Sequence, residues 1–133
     1  MYIPNEPKKY DIKVFATTDP RTFYTSHMEI YAGQQPDGPY KVDNSTEAVT
    51  LRMCQHLSGS GRNITMDRWF TSYSVVQKLL ADHTVRLTVV GSIKSNKREL
   101  PTIILHIKGR PVNSFIFGFG ERLMLVSFVP KKK

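Results

Sequence analysis

The sequence has 133 residues, a length that favours one domain with a substantial buried core. Apolar residues make up 40% of it and aromatic residues 11%, and this composition excludes a chain that is disordered throughout. The net charge of +8 indicates a polyanionic partner, with nucleic acid first, although a basic protein that is merely soluble fits the charge equally well.

The first predicted elements are two alternating runs that follow a lead-in with two prolines. Residues 10–16 and residues 23–32 each alternate apolar and polar side chains, which is typical of half-buried strands. A short polar turn joins them, so the sequence predicts an antiparallel hairpin. The apolar face of the first strand consists of Tyr10, Ile12, Val14 and Ala16.

A helix is predicted next, over residues 44–57. Asn44 has the character of an N-cap, and Glu47 three residues later completes a capping box. Apolar side chains then recur at every fourth position, and a Ser-Gly-Ser-Gly segment ends the helix. The recurring residues are Val49, Met53 and Leu57.

A short strand and a further helix surround Asp67. Residues 63–66 are β-prone, Asp67 follows them, and an aromatic pair comes directly after it. Thr71 and Ser72 are candidate caps for a helix that runs to about residue 82. A carboxylate at a strand end is held rigidly and is a hard oxygen ligand for Mg²⁺ or Mn²⁺. The alternative is a turn or capping residue, which is the commoner role of Asp at such a corner.

The next strand leads into a cluster of cations. Residues 85–93 are nearly all apolar and β-branched, which predicts a strand covered on both faces. The basic turn, residues 94–98, follows directly and contains Lys94, Lys97 and Arg98. Three cations at the end of a buried strand could bind phosphates of DNA. The alternative is a solvated turn, which is what most charge runs are.

The C-terminal part predicts a second hairpin. Residues 101–107 are apolar and fit either a strand or a short helix. Residues 115–119 and 123–129 flank a Gly-Glu turn, a pattern typical of two paired antiparallel strands. Residues 131–133 form a basic tail.

Other catalytic and metal-binding patterns are lacking in the sequence. The four histidines are scattered and have no zinc-site spacing. Cys54 is the single cysteine and lies within a helical pattern, so we expect a small buried residue and a reducing compartment. No apolar run approaches the about 20 residues of a membrane span, and the first residues lack the apolar region of a signal peptide.

Four segments of the chain resemble the piggyBac transposase family, and they follow the family's order over nearly the whole sequence. The central one, residues 62–72, is similar to the family's strand with a catalytic Asp followed by Trp-Phe-Thr-Ser. The other three are residues 2–14, residues 90–101 and residues 125–132. The order of hairpin, helix, strand ending in Asp, helix and buried strand also resembles part of an RNase H-like domain.

The resemblance implies the core of a metal-dependent cut-and-paste DNA transposase. In that family three carboxylates hold two Mg²⁺ or Mn²⁺ ions, which activate water or a 3′-hydroxyl and stabilise the leaving oxygen. Asp67 corresponds to the second carboxylate, while the first and third have no counterpart in this sequence. The family commonly has Cys-Asp-Asn where this chain has Met66-Asp67-Arg68, and we expect the neighbouring cation to compete with a metal for the Asp67 charge.

These inferences predict a partial RNase H-like mixed α/β sheet that lacks its first central strand and is followed by a β-hairpin. Residues 1–100 would form the core part, and residues 101–133 the start of an inserted β segment with the basic tail. We expect a truncated transposase domain without activity or stable metal binding on its own. Its expected partners are DNA, bound weakly by Lys94, Lys97 and Arg98, and a second copy, through exposed sheet edges. The family and the charge imply a nuclear location.

Two other functions fit the same residues. The chain could be a domesticated basic module that binds DNA or assembles with a longer relative. It could also be a transposon relic without a selected function. An unrelated basic interaction domain is disfavoured, because four matches in family order rarely arise by chance.

Overall fold

A computed structural model of the protein describes residues 12–31, 33, 35–81 and 86–131. These ranges form a mixed α/β fold, in which no helix is long and apolar enough to cross a membrane. The chain divides into two compact units, Met1–Gly91 and Ser92–Lys133. In chain order the elements are β1 (Val14–Thr18), β2 (Thr25–Ile30), α1 (Thr46–Gln55), β3 (Asn63–Met66), α2 (Tyr73–Ala81), β4 (Thr88–Gly91), α3 (Thr102–Leu105), β5 (Phe115–Phe119) and β6 (Met124–Phe128).

β1 and β2 form the predicted antiparallel hairpin, but its buried face is not the predicted one. Phe15 is buried and clusters with Val49 and Met53 of α1, while Ile12 and Val14 are 78% and 46% exposed. Because side chains of a strand alternate between two faces, burying Phe15 turns the whole alternating apolar set outward. An aromatic ring buries more apolar area than Ile or Val, which favours this face. Tyr10 lies outside the described residues.

α1 is the predicted helix with a different cap. Ser45 is its N-cap, and the Ser45 hydroxyl accepts a hydrogen bond from a backbone N–H three residues later, at 3.3 Å. Asn44, the predicted cap, instead donates from its side-chain amide to the carbonyl of Gly33 at 3.0 Å. Glu47 forms an ion pair with Lys78 of α2. The predicted capping box is therefore replaced by a serine cap and a helix–helix ion pair.

β3 and β4 pair in parallel with α2 between them in the chain, an arrangement typical of a βαβ unit. Leu87 is buried but Val90 is 58% exposed, so β4 is covered on one face, whereas its apolar sequence predicted cover on both. Burial raises the pKa of the Cys54 thiol, in agreement with its predicted role as a small buried residue. The core of this region contains Cys54, Leu57, Met66, Val75, Leu79 and Leu87.

The second unit contains α3 and the predicted hairpin of β5 and β6. The segment that fitted either a strand or a helix thus includes a one-turn helix. One face of the hairpin packs on it, since a Cβ added at Gly118 would lie 2.8 Å from Cδ1 of Ile104. Arg110 donates to the hydroxyl and to the carbonyl of Ser127, at 2.9 Å each. These contacts determine which face of the hairpin is left exposed.

Candidate functional site

Asp67 is the first residue after β3, and its main chain is anchored while its carboxylate is not. Its carbonyl oxygen accepts hydrogen bonds from the N–H groups of Phe70 and Thr71 at 3.0 and 3.1 Å. The Thr71 hydroxyl donates to the same oxygen at 2.9 Å. The Asp67 side chain is exposed, and its carboxylate has no ion pair with any residue that the structure describes. A carboxylate on a fixed turn can accept an external cation.

The helix that follows this turn begins at a serine cap. The Ser72 hydroxyl accepts a hydrogen bond from the N–H of Val75 at 3.3 Å, which satisfies one of the free donors at the start of α2. Thr71, the other predicted cap, donates back to the Asp67 turn instead. Ser72 therefore caps α2, and Thr71 fixes the turn at Asp67.

The lack of a side chain at Gly91 leaves room for the turn that begins at Asp67. It pairs with Met66 across the parallel sheet. A Cβ at Gly91 would lie 2.4 Å from Oγ1 of Thr71 and 3.1 Å from the Met66 carbonyl oxygen. A larger residue would therefore displace Thr71 and, through it, the turn at Asp67. No sequence pattern indicated this role, because it depends on a contact between two separate segments.

An aromatic cluster lies beside the same turn. Trp69 stacks on Phe15 with ring centroids 5.0 Å apart, and Phe70 meets Trp69 edge to face at 4.7 Å. Both residues pack against the buried cluster of Phe15, Val49 and Met53. Lys13 places its ammonium 4.6 Å from the Trp69 centroid, a cation–π contact that sequence reasoning missed. The stacked pair therefore joins the start of β1 to the turn that follows β3.

A cleft of about 840 Å³ lies between β1 and β3, with residues of α1 in its lining. We call it the strand cleft; residues 16–18 line one side, and residues 63–66 with Asp67 line the other. Within the described chain, β1 pairs only with β2 and β3 only with β4. No Cα atom of β1 lies within 8 Å of one in β3. Paired strands are about 4.8 Å apart, so β1 and β3 are too far apart to pair directly.

Among the described residues, Asp67 is a candidate metal ligand without a full set of ligand side chains around it. No cluster of three or more His, Cys, Asp or Glu suited to a metal occurs in the described ranges. Asp19 also lines the strand cleft, but the Arg21 N–H donates to its carboxylate at 2.8 Å and lowers the pKa of Asp19. Arg68 and Asp67, both described, form no ion pair. The expected competition by Arg68 therefore does not take the form of a salt bridge.

The basic turn belongs to the second unit. Its backbone is folded by a hydrogen bond from the Lys97 N–H to the Lys94 carbonyl at 3.3 Å. Lys94 and Arg98 are exposed and Lys97 is half-buried. None of the three forms an ion pair with another described residue. Because Asp67 belongs to the first unit, the predicted metal ligand and the predicted phosphate ligands are not brought together within one unit.

The positive charge is concentrated in the second unit. Residues 92–133 contain nine of the nineteen Lys and Arg residues but only two of the eleven Asp and Glu residues, a net charge of +7. Residues 1–91 have a net charge of +1. The net charge of the whole chain does not reveal this difference between the units, because the charge of each unit can be counted only when the unit boundary is known.

Comparison with known proteins identifies the family. The family model described as Transposase IS4 matches residues 1–133, and the comparison with curated proteins gives no match. The cryo-EM structure of a piggyBac transposase synaptic complex with hairpin DNA is similar, with 39% sequence identity and a TM-score of 0.85. The similarity covers 98% of this chain and 27% of the piggyBac chain. The chain therefore belongs to the family of IS4-type, piggyBac-like transposases.

Proposed function

We propose that this chain is the central part of an RNase H-like DNA transposase domain, in which Asp67 is one of several carboxylates that bind Mg²⁺ or Mn²⁺. The proposal is carried by the position of Asp67, an exposed carboxylate at the end of β3 and beside the strand cleft. A pair of divalent ions needs several anionic oxygens, so Asp67 alone does not complete the site. Bound ions of this kind activate water or a 3′-hydroxyl for attack on a phosphate of DNA.

A strand in the strand cleft is the second part of the proposal. It would join the sheet of β1 and β2 to the sheet of β3 and β4, giving one mixed sheet with the inserted strand at its centre. In the proposed sheet β1 and β3 run in opposite directions, so the insert would be parallel to one and antiparallel to the other. One of its ends would lie beside Asp67, and a carboxylate there would be the next metal ligand. This is the mixed sheet that the RNase H resemblance implies.

Titration with Mn²⁺ followed by NMR tests the role of Asp67. We expect Mn²⁺ at millimolar concentration to broaden the amide signals of residues 66–71, because a single carboxylate binds the ion weakly. The variant Asp67→Asn should lose this broadening. Asp19→Asn is the matched control, since Asp19 lines the same cleft. Equal broadening in wild type and in Asp67→Asn would contradict the proposal.

A cleavage assay tests the expectation that this chain does not act alone. Transposon-end DNA incubated with the purified chain and Mn²⁺ should remain uncut, because the described residues supply one metal carboxylate and the chemistry needs more. Gel electrophoresis gives the readout, with Asp67→Ala as the reference. Metal-dependent nicking that disappears in Asp67→Ala would mean that the chain holds a complete ligand set.

Self-association through sheet edges is proposed on the same geometry. β1 and β3 each present an edge without a strand partner in the described chain, and such edges tend to pair with another strand. Size-exclusion chromatography and melting at several concentrations should show a concentration-dependent species. A monomer with a sharp, concentration-independent melt above about 65 °C would show that the edges need no partner.

Duplex DNA is the proposed partner, bound without sequence preference by Lys94, Lys97 and Arg98 at about 10⁻⁴ to 10⁻⁶ M. The charge of +7 on the second unit supports this, as does a similar protein whose structure contains hairpin DNA. A nuclear location is proposed on the same grounds. The charge equally favours a second function, a DNA-binding module without catalysis. The Mn²⁺ titration separates the two, because such a module needs no metal at Asp67.

A further inference from the structure

The β5–β6 hairpin exposes a continuous apolar face. Its three cross-strand pairs are Phe115 with Phe128, Phe117 with Val126, and Phe119 with Met124. The six side chains are 42–78% exposed. The opposite face is covered within the unit, since Gly118 packs on Ile104 of α3 and Arg110 is hydrogen-bonded to Ser127. The hairpin cannot turn this face inward without breaking those contacts.

Aromatic rings dominate the exposed face and lie in an ordered row. Phe115 and Phe117 have ring centroids 6.1 Å apart with planes at 16°, and Phe117 and Phe119 are 6.4 Å apart with planes at 17°. Phe128 stacks on Phe115 across the hairpin at 4.7 Å. We call Phe115, Phe117 and Phe119 the aromatic row. A row of aromatic rings on the exposed face of a sheet is the kind of surface on which nucleic-acid bases stack.

The net charge of the second unit favours one kind of occupant for the aromatic row. The second unit has a net charge of +7, so a second copy placed against the row would bring like charges together. A polyanion with flat aromatic groups satisfies both the rings and the charge, and single-stranded nucleic acid is such a molecule. Lys131 follows β6 closely in the chain, while the β5–β6 turn contains both Glu121 and Arg122.

We propose that the aromatic row is a binding surface for unpaired nucleotides, whose bases stack on the phenylalanine rings while nearby cations contact the phosphates. The row extends over about 14 Å of strand, which suits two or three nucleotides. The proposal goes beyond the function proposed above, because neither Asp67 nor the strand cleft takes part. It assigns DNA contact to β5 as well as to the basic turn.

Fluorescence anisotropy with labelled dT12 tests this surface in the full chain. The double variant Phe117→Ala/Phe119→Ala should weaken dT12 binding about tenfold or more, since one aromatic–base stack contributes about 1–3 kcal/mol. Phe117→Leu/Phe119→Leu keeps apolar area without a π-face and should bind almost as weakly as the alanine variant. Met28→Ala, an exposed apolar residue of the first unit, is the matched control and should bind normally. Circular dichroism verifies that each variant is folded.

Three further measurements distinguish nucleotide stacking on the aromatic row from metal-dependent binding and from contact between two copies of the chain. Oligonucleotides with 5-iodouracil should photo-crosslink to the peptide that contains residues 115–119, as identified by mass spectrometry. Binding of dT12 by the wild-type chain should be the same with and without EDTA, so failure of the metal proposal leaves this test intact. Unchanged dT12 affinity in the alanine variant would overturn the inference. So would a change of oligomeric state in that variant without loss of dT12 binding, because the row would then be an interface between copies.

Discussion

The two hairpins of this protein share an architecture and differ in what they expose. Each packs one face on a helix, α1 for β1–β2 and α3 for β5–β6. The outer face of the first is aliphatic, with Val14, Met28 and Ile30, in a unit of net charge +1. The outer face of the second is aromatic, in a unit of net charge +7. Exposure alone does not favour one partner, whereas the chemistry of the exposed side chains together with the net charge of the unit favours nucleic acid for the second hairpin.

The hairpins also differ in how they are anchored. Phe15 reaches from β1 into an aromatic cluster with Trp69 and Phe70, residues of the turn that follows Asp67. The first hairpin and the candidate metal ligand therefore share a structural support. The second hairpin is held by Arg110 and Ile104, both within its own unit. Substitutions in the core of the first hairpin should therefore disturb the turn at Asp67, whereas substitutions in the aromatic row should not.

The largest effect is expected from replacing Phe15. Phe15→Ala should destabilise the protein by about 3–5 kcal/mol, the usual cost of deleting a buried ring. Val14→Ala, one residue away on the exposed face, should change stability by about 0.5 kcal/mol or less. Urea denaturation followed by Trp69 fluorescence measures both. A larger loss for Val14→Ala than for Phe15→Ala would show that the hairpin buries the other face, as the alternation alone predicted.

Gly91→Ala is the next prediction, and it addresses the turn at Asp67. The added methyl group would overlap Thr71, and overpacking of this kind costs about 1–3 kcal/mol. Gly38→Ala is the control, because a Cβ at Gly38 meets nothing within 4 Å. In a double-mutant cycle, Gly91→Ala should cost clearly less when Thr71 is already alanine. Additive losses would place the strain somewhere other than the contact with Thr71.

Local patterns predicted the elements well because they depend on neighbours in the chain. The alternation of the two hairpins and the four-residue repeat of α1 are visible in short segments, and the order of elements follows from them. The buried face of β1 was predicted wrongly, since it depends on Phe15 meeting Trp69, a residue far along the chain. The role of Gly91 was missed for the same reason. Both errors are tertiary effects that override local preference.

The candidate site was predicted from the sequence in part. Asp67 was singled out by its place after a β-prone run and by the family resemblance, and the structure places it at a strand end beside a cleft. Spacing could not indicate that the basic turn and Asp67 belong to different units. The division of charge between the units was equally hidden. Each of these properties depends on a boundary that only the folded chain defines.

An intermediate effect is expected from the ion pair between β2 and α1. Arg52 donates to both carboxylate oxygens of Glu29, at 2.5 and 3.1 Å, and these hydrogen bonds hold the pKa of Glu29 below its usual 4.5. A lowered folded-state pKa stabilises the fold above pH 4.5, and this stabilisation is lost as the pH falls through the folded-state value. Glu29→Gln should cost about 1–2 kcal/mol at neutral pH.

Melting curves between pH 7 and pH 3 check the prediction for Glu29. The difference between wild type and Glu29→Gln should shrink as the pH falls, because the wild-type carboxylate becomes protonated. Asp37→Asn removes an exposed ion pair with Lys41 and should change little at any pH. A constant difference across the pH range would mean that Glu29 stabilises the hairpin by packing and not by charge.

Substitutions in the basic turn should have the smallest effect on stability. They also give the sharpest test of whether the difference in net charge between the two units matters for DNA binding. Replacing Lys94, Lys97 and Arg98 by Gln should leave the melting temperature almost unchanged, because none of them has an ion pair among the described residues. The variant should nevertheless bind duplex DNA with a weaker salt dependence. Loss of about three phosphate contacts should reduce the slope of log K against log salt by about 0.9 for each contact.

The matched control for the basic turn lies in the first unit. Replacing its exposed cations Arg21, Arg62 and Arg68 by Gln removes the same charge. If the second unit holds the DNA, this control should keep most of the salt dependence, since the removed charges lie outside the region of net charge +7. Equal reductions in the two variants would mean that DNA responds to total charge and not to its position. In that case the basic turn would be a solvated turn, and the contrast between the two units would have no part in binding.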